Sequence, residues 1–294
     1  MPGDEQLEFL TFHVSLNKSS EVHPNQTLQH DQYLSMIDMM AASARLQHQN
    51  ARVVVLSDQA TSFEACREKL DEIERFDMDS SKLMFERTKA QCHYIQASSF
   101  ANPLVVIDSD ILVNAPLKDL FKRDFDVAVT WRENKIQPIN GGLLILNNRR
   151  PEVVKAFFRK FLAIYETQYA QQGAWFGDQL ALRDAVGRSL KQLKAKELVE
   201  VDGCRILMLP CDTHNFSPDN RFAEVAAYRA DKVILHFKGE RKRLMGPYWR
   251  AWLRPRSGSI LARLQALAER WRIARHIRSE AQLPAPTLID EEAS

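Results

Sequence analysis

Short apolar runs rich in β-branched residues alternate along this chain with longer amphipathic segments, and this alternation limits its fold more than any other feature. In a parallel sheet that is covered on both faces, each strand has a nearly continuous apolar sequence, and helices connect the strands. The chain therefore predicts an α/β fold with a mainly parallel central sheet. The predicted strands are Phe9–Val14, Val53–Leu56, Leu104–Ile107, Asp126–Trp131, Gly142–Leu146, Ile206–Leu209 and Val233–Phe237.

Helical spacing of apolar residues separates several of these strands. Residues 34–44 place Leu and Ala on one face after Asp31, which could cap the helix, and a second pattern begins at Pro151, a residue suited to a first helical turn. A third pattern follows Ser257-Gly258-Ser259. The helices supply the layers that a buried parallel sheet requires.

Bulk composition fits one large domain. The chain has 294 residues, of which 45% are hydrophobic, and its net charge of +2 does not indicate a nucleic-acid partner. Its four cysteines form no C-x-x-C pair and are expected to be reduced. The polar start at residues 1–8 lacks the apolar stretch of a signal peptide, and no run reaches the roughly 18 apolar residues of a membrane span. A cytoplasmic location is therefore predicted.

An apolar strand runs directly into two carboxylates at Asp108-Ser109-Asp110. Two carboxylates one residue apart at a strand end can reach one hard cation, and oxygen ligands favour Mg²⁺ or Mn²⁺. In α/β sheets ligands bind beyond the carboxyl ends of the strands, which is where this pair lies. A D-x-D pattern alone is more often a solvated strand exit, so its weight depends on the other motifs.

Three further motifs follow in the chain. Asn140-Gly141-Gly142 opens a buried strand, where glycine permits close approach to the backbone and Asn can bind a hydroxyl, although a simple turn is the alternative. Asp178-Gln179 starts a helix, where Asp could act merely as an N-cap.

The last motif ends a strand at His236 and continues into a loop with Gly239 and Lys242. A lone histidine in this position is usually a satisfied core residue. Here basic residues follow it at once, and they are suited to binding phosphate groups.

Taken in this order, the four motifs resemble those of the retaining glycosyltransferase family that includes glycogenin and bacterial lipopolysaccharide galactosyltransferases. That family shows an apolar strand into D-x-D, then N-x-G, then D-Q, then H-x-x-G-x-x-K, and the similarity extends over about residues 8–245. The resemblance implies a single Rossmann-like nucleotide-diphospho-sugar transferase (GT-A) domain and a hexosyltransferase activity. It also implies a donor that is a nucleotide-diphosphate sugar, with UDP favoured, and a saccharide or lipid-linked acceptor.

The resemblance also implies a role for each motif residue. Asp108, Asp110 and His236 would hold Mn²⁺ or Mg²⁺. Asp178 and Gln179 would be catalytic residues facing the transferred sugar. The implied substrate-binding residues are Asn140, Gly141, Gly142, Gly239 and Lys242, together with Arg87 and Lys89 on a predicted helix before the D-x-D strand.

Other functions remain as alternatives. A catalytically inactive nucleotide-sugar-binding or scaffold protein would keep the same motifs. A sugar-phosphate nucleotidylyltransferase needs a glycine-rich loop after the first strand, and Ser15–Ser20 contains no glycine. A metal-dependent nuclease would not explain the Asn140-Gly-Gly motif or the spacing from His236 to Lys242.

The C-terminal part of the chain is strongly basic. Residues 238–278 carry twelve Lys or Arg against two Glu, a net +10 in a chain of +2. We predict a nucleotide-sugar-binding domain at 8–245, a basic aromatic and amphipathic appendage at 246–280 and a disordered tail at 281–294. Residues 247–278 could contact an anionic membrane surface, which would place the protein at the inner face of a membrane.

We expect the two parts of this appendage to contact different surfaces. The aromatic and basic residues between Tyr248 and Arg256 favour lipid contact. The apolar face of the following helix is slightly more typical of packing on the domain, and it comprises Ile260, Leu264, Leu267, Trp271 and Ala274.

Overall fold

A computed structural model describes residues 6–15, 29–134, 136–170, 176–187 and 197–282. The predicted tail at 281–294 lies outside the described residues from 283 onward, as do most of the loop Ser15–Ser20 and residues 1–5. The strands of the main sheet are β1 Glu8–Phe12, β2 Arg52–Asp58, β3 Glu72–Phe76, β4 Leu104–Ile107, β6 Val127–Trp131, β7 Ile139–Leu146, β8 Leu198–Val201 and β9 Cys204–Pro210, with β5 Ile111–Val113 and β10 Ile234–His236 pairing separately.

The main sheet has the order β3-β2-β1-β4-β7-β6-β9-β8. Its pairs are parallel except where β7 meets β4 and β6 and where β8 meets β9. The predicted α/β class with a mainly parallel sheet is confirmed. Prediction from sequence missed β3 and β8 because these edge strands are partly exposed and interleave charged with apolar residues.

Helices cover both faces of the sheet. They are α1 His30–Gln47, α2 Leu83–Ala97, α3 Pro151–Ile164, α4 Gly177–Val186, α5 Cys211–His214, α6 Lys242–Tyr248 and α7 Ile260–Glu280. Single π turns continue α3 and α6, at Tyr165–Tyr169 and Trp249–Leu253. Short 3₁₀ segments lie at Glu64–Lys69, Ser80–Lys82, Leu120–Lys122, Phe222–Val225, Gly239–Arg241 and Arg254–Ser257.

The core is divided by the sheet into two layers. On one face α1, β5, β10, α6 and part of α7 pack against the sheet, with Phe9, Ile37 and Tyr248 fully buried. On the other face α2, α3 and α4 pack around Phe158 and Tyr165. A ligand site is therefore expected beyond the carboxyl ends of the strands, where the two layers leave space.

The β5–β10 ribbon brings two distant motifs together. Its antiparallel register pairs His236 with Ile111, the residue after Asp110, and the Phe237 amide donates to the Asp110 carbonyl at 2.9 Å. The β4–β7 pair adds the third motif, because the Asp108 amide donates to the Gly142 carbonyl at 3.1 Å. Backbone pairing thus fixes these three motifs at one edge of the sheet.

The prediction that the Tyr248–Arg256 stretch faces lipid is wrong. Tyr248 is fully buried, and its hydroxyl donates to the Asn114 side chain at 2.9 Å. The Trp252 indole donates to the Val225 carbonyl at 2.9 Å. These polar tips find partners inside the protein, so the rings belong to its packing. The predicted boundary at residue 246 falls inside α6, and the division into a domain of 8–245 and an appendage of 246–280 stays a prediction.

The expectation for the last helix is also wrong. The helix α7 follows Ser257-Gly258-Ser259 as predicted, and Ser259 caps it. The apolar residues Ile260, Leu264, Leu267 and Trp271 are nevertheless 58–75% exposed. The helix instead packs through a narrow opposite face made of Ala262, Ala266, Glu269 and Ile273. Small alanine side chains let the helix lie close to the protein, and this leaves the larger apolar ridge uncovered. Among the described residues, no helix is long and apolar enough to cross a membrane.

Candidate active site

Three side chains predicted as metal ligands converge at the carboxyl end of β4. Asp108 follows β4, Asp110 precedes β5, and His236 ends β10. One ligand atom from each of the three lies within 4.8 Å of the other two. His236 Nε2 is 3.0 Å from Asp110 Oδ1 and 3.4 Å from Asp108 Oδ2.

Two carboxylates and an imidazole form a ligand set that can hold a divalent cation. Asp110 and His236 are buried, whereas the Asp108 side chain is 25% exposed. The cluster is therefore open on one side, as a site that also binds substrate oxygen atoms must be. These residues fit a divalent cation.

Lys242 lies beside the cluster. This residue begins α6, and its ammonium is 3.3 Å from Asp110 Oδ2. Burial disfavours the charged form of Asp110, but His236 and then Lys242 more than offset it and hold the pKa of Asp110 below its ordinary value. The preceding Gly239 has a positive φ of 55°, a conformation that favours glycine, and it begins the turn that leads to Lys242.

Arg87 on α2 connects the metal-ligand cluster with the D-Q motif. Its Nη1 donates to Asp108 Oδ1 and its Nη2 to Asp178 Oδ2, both at 2.9 Å. Lys89, the other basic residue predicted to reach the donor, instead lies 3.6 Å from Glu86 on the same helix. The structure therefore brings Arg87 into the cluster, and it places Lys89 in a pair along the helix surface.

Asp178 does not cap its helix. The N-cap position of α4 is Phe176, and Asp178 lies one residue after the helix begins. The Asp178 residue is only 5% exposed, and its Oδ1 is buried without a hydrogen-bond partner. Burial raises the pKa of Asp178, and Arg87 opposes this shift. A buried acceptor with one unsatisfied oxygen is what a ligand hydroxyl would complete.

Gln179, the residue after Asp178, makes a longer hydrogen bond than Asp178 does. Its Oε1 accepts from Arg132 Nη2 at 3.5 Å. Arg132 follows β6, and a polar residue at a strand exit was a signal that prediction from sequence did not use. The described contacts thus put Gln179 and Arg132 beside each other at the strand end.

The glycine pair is explained by the protein's own packing. A Cβ on Gly142 would lie 2.8 Å from Asp108 Oδ2 and from His236 Nδ1, with His236 Cε1 closer still. A Cβ on Gly141 would lie 3.0 Å from Asp178 Oδ2. The β6–β7 register shifts here, between Val129 and Thr130. Such bulges often adjoin active sites, and this one leaves room for the ligand side chains.

Asn140 and Asn215 form hydrogen bonds to residues of the metal-ligand cluster and its neighbouring strand. Asn140 Oδ1 accepts from the Gly142 amide at 2.9 Å, so this side chain shapes the bulge. Asn215, which follows α5, lies 2.8 Å from His236 Nδ1 through its Oδ1. Nothing in the sequence around Asn215 indicated this contact, because it depends on the pairing of residues far apart in the chain.

No family model matches the chain, and no curated protein does. Solved structures of glycosyltransferases do match it. The galactosyltransferase LgtC, in complex with donor and acceptor sugar analogues, is 14% identical with a TM-score of 0.48, and the match covers 95% of this chain and 98% of LgtC. GlyE of Streptococcus pneumoniae TIGR4 is 14% identical with a TM-score of 0.47 and coverage of 97% and 66%.

The bifunctional glycosyltransferase WbbM is 12% identical with a TM-score of 0.48, and the match covers 82% of this chain and 47% of WbbM. The chain therefore spans about half the length of WbbM.

Proposed function

We propose that this chain is a metal-dependent glycosyltransferase that moves a hexose from a nucleotide-diphosphate sugar to a saccharide or glycoconjugate acceptor. The observation that carries this proposal is the joining of a cation-ligand cluster to a buried carboxylate by one arginine, Arg87. In the proposed reaction a divalent cation would stabilise the departing diphosphate, and a carboxylate beside it would bind the transferred sugar. UDP as the donor nucleotide and retention of configuration are proposed from the family resemblance.

Asp108, Asp110 and His236 would hold Mn²⁺ or Mg²⁺, and the bound ion would neutralise the charge that develops on the departing diphosphate. Lys242 would bind the same phosphate oxygens, and its position 3.3 Å from Asp110 Oδ2 supports this role. Gly239 starts the turn in front of it and would let the phosphates approach the backbone. These residues form the leaving-group side of the proposed site.

Asp178 would act on the transferred sugar. Its unpaired Oδ1 can accept from a sugar hydroxyl, and its charge would stabilise an oxocarbenium-like transition state. Gln179, Gly141 and Asn140 would line the same sugar subsite. Arg87 would keep Asp178 oriented until the donor arrives.

The test is metal-dependent donor hydrolysis. Nucleotide sugars with Mn²⁺ are first screened by thermal shift, because a selective ligand raises stability. We expect the donor so identified to be hydrolysed slowly without acceptor, and we expect Asp110→Ala to lose this activity while remaining folded. Full activity in chelator, or in Asp110→Ala, would refute the metal assignment. Donor binding without hydrolysis or transfer would favour the alternative of an inactive nucleotide-sugar-binding protein.

We also propose that the exposed ridge of α7 contacts an anionic lipid surface, which would place the protein at the inner face of a membrane near a lipid-linked acceptor. Ile260, Leu261, Leu264, Leu267 and Trp271 form this ridge and are 58–75% exposed. The helix itself carries five Arg against two Glu, a net +3. Charge complementarity favours anionic headgroups over a second copy, whose ridge would bring the same positive charge.

Contacts on the packed side hold α7 on the protein while the ridge stays free. Glu269 accepts from Arg250 and from Arg272, each at 3.0 Å, and the His276 ring stacks on Phe222 at 4.3 Å. The helix can therefore present its ridge without detaching. This revises the predicted lipid-binding residues from Tyr248–Arg256 to the ridge.

Vesicle co-sedimentation tests the ridge. We expect salt-sensitive binding to anionic but not neutral vesicles, lost in the triple variant Leu264→Gln, Leu267→Gln, Trp271→Gln and kept in the exposed control Lys122→Gln. Donor hydrolysis should be unchanged in the triple variant. No binding at low salt, or a ridge-dependent dimer in ultracentrifugation, would refute the lipid proposal.

A further inference from the structure

The two nitrogens of His236 face different partners. Nε2 points at the carboxylates of Asp110 and Asp108, at 3.0 and 3.4 Å. Nδ1 lies 2.8 Å from Asn215 Oδ1. The role of each nitrogen depends on which atom of the Asn215 amide faces the ring, because the oxygen accepts a proton and the nitrogen donates one.

A second hydrogen bond favours the orientation of Asn215 in which its oxygen faces His236. Its Nδ2 donates to Thr130 Oγ1 at 2.9 Å, and the Thr130 hydroxyl donates to the Asn140 carbonyl at 3.0 Å. A flipped amide would put oxygen against Oγ1 and would take the hydroxyl proton away from that carbonyl. The chain of donors therefore runs from His236 Nδ1 through Asn215 and Thr130 to a backbone oxygen.

The backbone on both sides holds Asn215 in place. Its amide donates to the Cys211 carbonyl at 3.0 Å, and the next residue, Phe216, exchanges hydrogen bonds with β10 at 3.0 and 2.8 Å. Asn215, Thr130 and His236 are at most 3% exposed. Water therefore has little access to replace any of these bonds, and a lost partner would remain unsatisfied.

We propose that Asn215 and Thr130 are positioning residues that keep the His236 proton on Nδ1 and leave the Nε2 lone pair directed at the cation. The proposal rests on the proposed metal site, but it assigns two residues outside the ligand set. Metal-bound histidines commonly donate their second ring N–H to such an acceptor, which fixes both tautomer and ring orientation. Here the acceptor is itself oriented by a threonine on a different strand.

Thr130 offers a discriminating pair of substitutions. Thr130→Val keeps the shape of the side chain and removes the hydroxyl, whereas Thr130→Ser keeps the hydroxyl and removes the methyl group. A packing role predicts that Val is tolerated better, and the positioning role predicts the reverse. Thr11→Val is the matched control, because Thr11 is a buried strand threonine whose hydroxyl has no hydrogen-bond partner.

Two measurements test the proposal. Nitrogen-15 NMR of labelled histidine in the protein loaded with diamagnetic Mg²⁺ reads the tautomer directly, and electron paramagnetic resonance titration gives the Mn²⁺ affinity. With the cation bound in place of a proton at Nε2, we expect His236 to carry its proton on Nδ1 in the unmodified protein. We expect Mn²⁺ affinity to fall about 10- to 100-fold in Asn215→Leu and Thr130→Val and to stay near normal in Thr130→Ser and Thr11→Val.

The outcomes separate this inference from the proposed function. Unchanged tautomer and Mn²⁺ affinity in folded Thr130→Val and Asn215→Leu would overturn the inference and leave the metal site standing. An unmodified protein that binds no Mn²⁺, with or without nucleotide diphosphate, would overturn the metal site itself. If Thr130→Ser loses more affinity than Thr130→Val, Thr130 acts by packing, and its assignment fails.

Discussion

Arg87 stabilises two carboxylates at once, and replacing it by methionine should be costly. Methionine approximates the length of the arginine stem but leaves Asp108 and Asp178 without the guanidinium that lies 2.9 Å from each. The Asp178 side chain is 6% exposed, so water can do little to replace the lost charge. In metal-free protein the variant therefore holds an uncompensated buried anion.

Removal of one partner from a buried ion pair typically costs about 3–5 kcal/mol. Asp108 is 25% exposed and regains some hydration, which favours the lower end, about 3 kcal/mol. Lys89→Met on the same helix is the matched control. Lys89 is 38% exposed and lies 3.6 Å from Glu86, so its loss should cost less than about 1 kcal/mol.

Urea unfolding in chelator at pH 7 measures both variants. Without Arg87 the pKa of Asp178 rises further above its unfolded value, so the destabilisation applies while Asp178 is ionised and fades as it takes up a proton. The deficit of Arg87→Met should therefore shrink as the pH is lowered from 7. Mn²⁺ should restore part of the stability by pairing with Asp108. A loss no larger than that of Lys89→Met, or one independent of pH, would refute the reasoning.

Three further changes test the site and its surroundings. Gly142→Ala should lower the free energy of unfolding by about 1–3 kcal/mol and weaken Mn²⁺ binding, because its Cβ would crowd His236. Gly141→Ala should have smaller effects in urea unfolding and Mn²⁺ titration, and equal effects of the two variants would contradict this prediction. Asp178→Asn should still bind donor by thermal shift but turn over far more slowly, and normal turnover would remove the charge from the mechanism. Burial, and then the nearby His30, lower the pKa of His13 to about 3. Between about pH 6.5 and pH 3 the His13 side chain is therefore protonated in the unfolded chain but neutral in the native protein, so the free energy of unfolding decreases as the pH falls. His13→Phe should flatten that slope by up to about 1.4 kcal/mol per pH unit, and identical slopes would contradict the assignment.

The strand exits were predictable from sequence because their chemistry is local. An apolar run that ends in Asp108 and Asp110 places those carboxylates at a sheet edge whatever the rest of the chain does. The meeting of His236 with them was implied by the family resemblance. Its cause, the antiparallel pairing of β5 with β10, joins segments more than 100 residues apart and has no local signal.

The roles of single residues were harder to predict because they depend on neighbours from other elements. The possible N-cap role of Asp178 failed because the helix begins one residue earlier, with Phe176 at its N-cap. Gly142 was expected to admit a ligand, yet its missing side chain first makes room for Asp108 and His236. Asn215 gave no signal at all, since an isolated asparagine in a loop has many uses.

The last helix shows why periodicity identifies a face but not what covers it. Its spacing correctly separated a ridge of large apolar residues from the rest of α7, and burial of apolar area alone would turn that ridge inward. The structure buries Ala262 and Ala266 instead, together with Glu269, whose carboxylate accepts from Arg250 and Arg272. Two alanines permit close approach, and a doubly paired glutamate fixes the rotation of the helix. The described residues consequently leave the apolar ridge uncovered, and the proposal of an anionic lipid partner rests on this exposure.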